Sequence, residues 1–229
     1  MTRTRTSPTP PLSVLYLLLL IIFNQFAYPF TEAGGASVIV YQLGYAAMFL
    51  ASVFIPEVGR YHVILTGLTA FVFFGFSVLY VMEPEEPWRN AAVFLSLIPF
   101  QVSVIVALFR LVFGRPRVTA EVIYAAVSIY LLLGAFFVPI FGALETFAPG
   151  SFVDTQRPGA PVAWQQLIYY SYVTLTTLGF GDILPVSSWA RSLVSLEAVI
   201  GVLYLAILMA RLVGLYGQTW LPDPSEDED

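Results

Sequence analysis

Thr176-Thr177-Leu178-Gly179-Phe180-Gly181-Asp182 runs between two long apolar segments near the C-terminal end of the chain. Its glycines admit backbone dihedrals that other residues rarely adopt, so successive carbonyls can turn to the same side. Outward from this stretch the chain is strongly apolar: 58% of its 229 residues are hydrophobic, 11% are charged, and mean hydropathy is +0.80. Soluble domains carry about 25% charged residues, so the composition predicts an all-α integral membrane protein. The chain has no cysteine, which excludes a disulfide framework and a thiolate metal site. The formal net charge of -5 owes much to Asp223, Glu226, Asp227, Glu228 and Asp229, a terminal run. The ten basic residues are all arginine and are scattered, which argues against nucleic-acid binding.

A bilayer-spanning helix needs roughly 20 mostly apolar residues. Such runs are predicted at 12–30, 36–55, 61–82 and 91–113, with two more at 120–144 and 189–216 on either side of the glycine stretch. Residues 145–161, rich in Pro and Gly, read as a polar turret loop, and residues 162–176 as a re-entrant helix that ends at the glycines. With the N-terminus inside, Arg3, Arg5, Arg60, Arg110, Arg115, Arg117 and Arg211 fall at the cytoplasmic side, while Arg89, Arg157 and Arg191 fall outside. The bias predicts cytoplasmic termini and an outward-facing glycine loop. A competing reading takes Arg3, Arg5 and the run 15–23 as a secretory signal cleaved near 33–36; the apolar stretch is longer than a usual signal core. The resulting division is a four-helix domain over 1–117, a second unit over 118–217, and an acidic tail over 218–229, expected to be a solvated, disordered end.

The glycine stretch closely resembles the selectivity filter of the potassium channel superfamily, whose usual form is Thr-Val-Gly-Tyr-Gly, and the layout is similar to its prokaryotic six-transmembrane members. Pro185 and Trp189 downstream strengthen the likeness. The resemblance implies a homotetramer in a plasma membrane, contacting lipids, in which four such loops replace the water around K+. It implies that the carbonyls of Thr177, Leu178, Gly179 and Phe180 and the Thr177 hydroxyl are the K+ ligands. Gly181 completes the turn, and Thr176 supports the ribbon. Leu178 stands where valine or isoleucine is more usual and Phe180 where tyrosine is, so the filter lacks one hydroxyl anchor. In similar channels an aromatic donor on the re-entrant helix holds the acid after the filter, which implies a Tyr170–Asp182 pair. Tyr169, Tyr170 and Tyr172 read either as a cuff around the filter or as a packing surface. Val173 stands where some relatives carry a glutamate, so a carboxyl pair with Asp182 is not expected.

In the last helix, Glu197 is an intramembrane carboxyl and so a candidate functional group; it reads either as a structural hydrogen-bonding residue or as an ion contact. Gly201 matches the gating hinge of similar channels, and equally suits a packing glycine. Val202, Leu205, Met209 and Val213 recur at helical spacing; by resemblance they line the inner cavity, with Met209 and Val213 as gate candidates, while a lipid-facing stripe fits the same spacing. Voltage acts on charge that moves, about 2.3 kcal/mol per elementary charge per 100 mV. The segment 91–113 carries only Arg110, so a conventional voltage sensor is not expected. The first four helices read as a packing domain, with Gly44, Ala47 and Ala51 permitting close approach and Asn24, Gln25, Gln101 and Ser103 bonding between helices. Two other functions fit less well: a weakly selective cation channel, and the pore subunit of a transport complex. No cofactor is expected, and the lone His62 has no clustered partner that would suggest an enzyme.

Overall fold

The computed structural model describes residues 12–27, 29–30, 36–55, 59–82 and 87–218. Arg3, Arg5, the start of the possible signal segment and the acidic run after residue 218 lie outside them. Among the described residues the chain forms seven helices: α1 (Leu12–Phe26), α2 (Ala36–Val53), α3 (Arg60–Met82), α4 (Pro87–Gly114), α5 (Ala120–Phe147), the short α6 (Trp164–Leu175) and α7 (Ser188–Gln218). Within α3, α4, α5 and α7, residues 60–82, 88–114, 120–147 and 188–215 are long and apolar enough to cross a membrane, whereas α1, with 15 residues, is shorter. The protein is an all-α membrane protein, as expected. One difference in bounds matters: α4 begins at Pro87 rather than at 91, and so includes Arg89, whose Nη1 donates to the Leu79 carbonyl.

Helix α5 is the spine. Thr119 caps its start by accepting the Val122 amide, and Arg115 pairs with Glu121 in the first turn. Both devices complement the free amides and partial positive charge of a helix start. Near its C-terminal end Pro139 lacks an N–H, which leaves the carbonyl four residues back without its helical partner. That carbonyl belongs to Ala135, and Gln101 Nε2 of α4 donates to it at 3.0 Å. The proline therefore explains the buried glutamine, and the pair joins α4 to α5.

The other polar residues at depth divide. Ser103 bonds the Phe100 carbonyl of its own helix, contrary to the expected interhelical bond; a serine hydroxyl in a helix readily reaches a carbonyl three or four residues back. Gly44 is a close-approach site: a Cβ there would lie 2.1 Å from Asn24 Oδ1 of α1. The main core gathers Leu17, Met48, Phe100, Leu108, Leu111, Ile129 and Leu132 from α1, α2, α4 and α5. A smaller one, with Phe137, Phe141, Phe152, Leu167, Ile168 and Tyr170, holds α6 against α5.

The turret contains a strand that the sequence did not betray. β1 (Phe152–Asp154) pairs antiparallel with β2 (Ile183–Pro185), which directly follows the glycine stretch. Three-residue strands are too short to announce themselves by alternation.

Candidate functional site: a glycine ribbon held by a short helix

Helix α6 ends at Leu175, and its last turn passes its free carbonyls to the ribbon. Val173 O accepts the Leu178 and Gly179 amides at 2.9 and 3.3 Å, and Thr174 O accepts the Thr177 amide at 2.9 Å. Thr176 Oγ1 bonds Tyr172 O at 2.6 Å, tying the first threonine to the helix. Beyond that point φ is positive at every second residue: 59° at Thr177, 57° at Gly179 and 79° at Gly181. Glycine adopts this region freely, but a β-branched residue there is an outlier that its surroundings must hold. Thr177 was thus missed as a backbone device, since the sequence drew attention only to the glycines.

Asp182 is anchored on every side. Its Oδ2 accepts the Tyr169 hydroxyl at 2.7 Å, its Oδ1 accepts the Ile183 amide, and its carbonyl accepts both the amide and the hydroxyl of Thr155. The expected Tyr170–Asp182 pair is therefore corrected to Tyr169–Asp182. Neighbours on a helix point about 100° apart, and the face turned to Asp182 is that of Tyr169, whose ring also stacks on Phe180. Tyr170 is buried between Phe141 and Phe152. Tyr172 turns toward α5 and donates to Leu131 O at 2.8 Å. The three tyrosines thus serve three partners, and one of them touches the ribbon.

The turret adds supports with no counterpart in the sequence reading. Glu145 accepts the Gly150 and Phe152 amides, and Asp154 accepts Gln166 Nε2 at 2.7 Å, joining β1 to the first turn of α6. Carboxylates in an otherwise Pro- and Gly-rich loop were the available signal.

Ala190, Glu197, Gly201 and Tyr204 form the buried strip by which α7 meets its own chain. Glu197 is fully buried; its Oε1 accepts the Ser171 hydroxyl, which also lies 2.6 Å from Gly134 O of α5. One serine of α6 thus meets both flanking helices. At Gly201 a Cβ would sit 2.5 Å from the Leu175 carbonyl oxygen, and at Gly134 it would sit 2.6 Å from the Tyr172 ring. Gly201 is accordingly a close-packing residue behind the ribbon. Val202, Leu205, Met209 and Val213 all face away from their own chain, and so do Leu203 and Ile207. Near its lower end Arg211 reaches Arg115 O at 2.7 Å and lies over the Phe113 ring.

Two long apolar helices, α5 and α7, are thus joined through a short helix and an anchored glycine ribbon. Residues 118–217 match the family model described as "Ion channel". A stretch of 80 residues is 34% identical to the inward rectifier potassium channel Kirbac3.1 of Paramagnetospirillum magnetotacticum, covering 35% of this chain and 24% of that protein. Over 87 residues it is 31% identical to potassium voltage-gated channel subfamily V member 1 of rat and of human, covering 38% of this chain and 16% and 17% of theirs. Over this segment the chain is similar to potassium channels. It spans about a quarter or less of the length of these curated relatives. No solved structure matches the chain.

Proposed function

We propose that four copies of this chain surround one axis and conduct K+ passively and selectively, with residues 118–217 as the pore unit and 1–117 as a packing shell. The observation that carries this reading is the alternation of φ at Thr177, Gly179 and Gly181. A ribbon that changes handedness at each residue can present consecutive carbonyls on one side, where an ordinary strand alternates them. Four such ribbons supply rings of oxygens that replace a dehydrated cation's water. The ligands are the carbonyls of Thr177, Leu178, Gly179 and Phe180 and the Thr177 hydroxyl, with Gly181 closing the ribbon and Thr176, Tyr169 and Asp182 supporting it. The exposure of Leu178 and Phe180 on one chain, 57% and 64%, fits side chains that neighbouring copies would cover.

Both termini face the cytoplasm in this reading, and Met209 and Val213 form the apolar constriction. Glu197, buried within its own chain, holds α6 and does not meet the ions. Between residues 91 and 113 α4 carries only Arg110, with Arg89 in its first turn, so conduction without steep voltage dependence is expected. Purified protein in liposomes with a K+ gradient tests the proposal. Barium-sensitive flux that Na+ cannot replace supports it, and flux carried equally by Na+ refutes it. Gly179→Ala should abolish conduction through conformation alone: no atom lies within 4 Å of the added Cβ, but φ there is 57°, a region that costs an L-residue about 1–2 kcal/mol per chain.

A further inference from the structure

Helices α2, α3, α4 and α5 and the first residue of α6 leave between them a partly open cavity of about 70 Å³. Its walls are largely aromatic, with Tyr41, Tyr45, Phe73, Phe94 and Trp164 among them, and no charged side chain lines it. Ser77 is also in the wall. It is 1% exposed, and its Oγ has no hydrogen-bond partner among the described residues. Ser52, Ser96, Ser103 and Ser128, on the surrounding helices, each donate to a carbonyl of their own helix. Ser77 alone of these five leaves its hydroxyl unspent, at the edge of an empty apolar space. Buried polar groups ordinarily find a partner, and an exception calls for a ligand or another specific cause.

We propose that this cavity binds a small, uncharged, hydroxyl-bearing aromatic molecule of the alkylphenol class. Its ring packs among the aromatic walls, where edge-to-face and offset contacts are favourable, and its hydroxyl exchanges a hydrogen bond with Ser77 Oγ. An anionic headgroup finds no cation in the lining, and a bare acyl chain would leave Ser77 as it is. The bound molecule would touch Trp164, the first residue of α6, and Val138 and Pro139 of α5. It would therefore bridge the peripheral helices to the helix that holds the ribbon.

Trp164 is also the reporter. In the full chain in vesicles, Trp88→Phe, Trp189→Phe and Trp220→Phe leave it as the only tryptophan, and 4-bromo-2,6-dimethylphenol serves as both ligand and quencher. Saturable quenching that unbrominated 2,6-dimethylphenol displaces is expected. Ser77→Ala removes a hydroxyl the fold does not use, and should weaken binding by about three- to tenfold while leaving the melting temperature unchanged. Quenching that rises linearly with phenol, or an unchanged affinity in Ser77→Ala, overturns the proposal. So does quenching by acyl-brominated phospholipid that the phenol fails to relieve, which would mark the space as a crevice for lipid tails. Fluorescence reads occupancy directly, so the outcome is separate from whether the protein conducts K+.

Discussion

Tyr169 and Tyr170 are adjacent in the chain, yet only Tyr169 reaches Asp182. Tyr169→Phe is expected to leave assembly intact and to make K+ flux into liposomes decay faster, because Asp182 loses its one side-chain donor from α6. Tyr170→Phe should leave that time course unchanged. An equal effect in both variants would mean that the pair does not hold the ribbon. Gly201 is decided by a backbone atom, since the Leu175 carbonyl oxygen in the path of a Cβ cannot swing aside as a side chain could. Gly201→Ala should lower stability in detergent by about 1–3 kcal/mol, the usual cost of overpacking, seen as a lower melting temperature. A variant that melts like the parent would restore the hinge reading. At this scale the sequence named most of the ribbon, because glycine, threonine and aspartate each have few backbone roles. It could not name Ser171, whose importance comes from lying between Glu197 and Gly134, 26 residues ahead and 37 behind.

Among the elements, the bond from Gln101 to the carbonyl that Pro139 frees in α5 makes a separable unit. Gln101→Leu strands that carbonyl and should cost about 0.6–2 kcal/mol, the range for interhelical bonds in membranes. Pro139→Ala returns the missing N–H to the helix, so the two changes should be less harmful together than their sum. A double-mutant cycle by thermal unfolding measures the coupling, and strict additivity would show that the carbonyl is not shared. Helix positions were legible because a run of some 20 apolar residues has little choice in a bilayer, and the predicted bounds at 36–55, 61–82 and 162–176 fall close to α2, α3 and α6. The strands were not legible. Their pairing depends on 28 residues of intervening loop, helix and ribbon bringing Asp154 opposite Ile183, and local composition carries no trace of that.

At the scale of the molecule, α7 meets its own chain along one strip and leaves Leu196, Val199, Leu203, Ile207 and Val213 bare. A fourfold particle should cover part of this surface, and mass measurement in native detergent or lipid is expected to give four chains; a monomer that still conducts would end the tetrameric proposal. The β1–β2 pairing has a practical corollary. It bears on the ribbon through Thr155 and Asp154, and residues 156–160, all exposed with a turn at Gly159, are tied back to it through the Gln156 and Arg157 amides, which donate to Asp154. An epitope spliced between Pro158 and Gly159 would hang from the clamp like a flag from a bracket. It should label intact cells while the permeation pathway keeps working, giving a handle for sorting and purifying the protein and a direct readout of which face of the membrane the turret occupies.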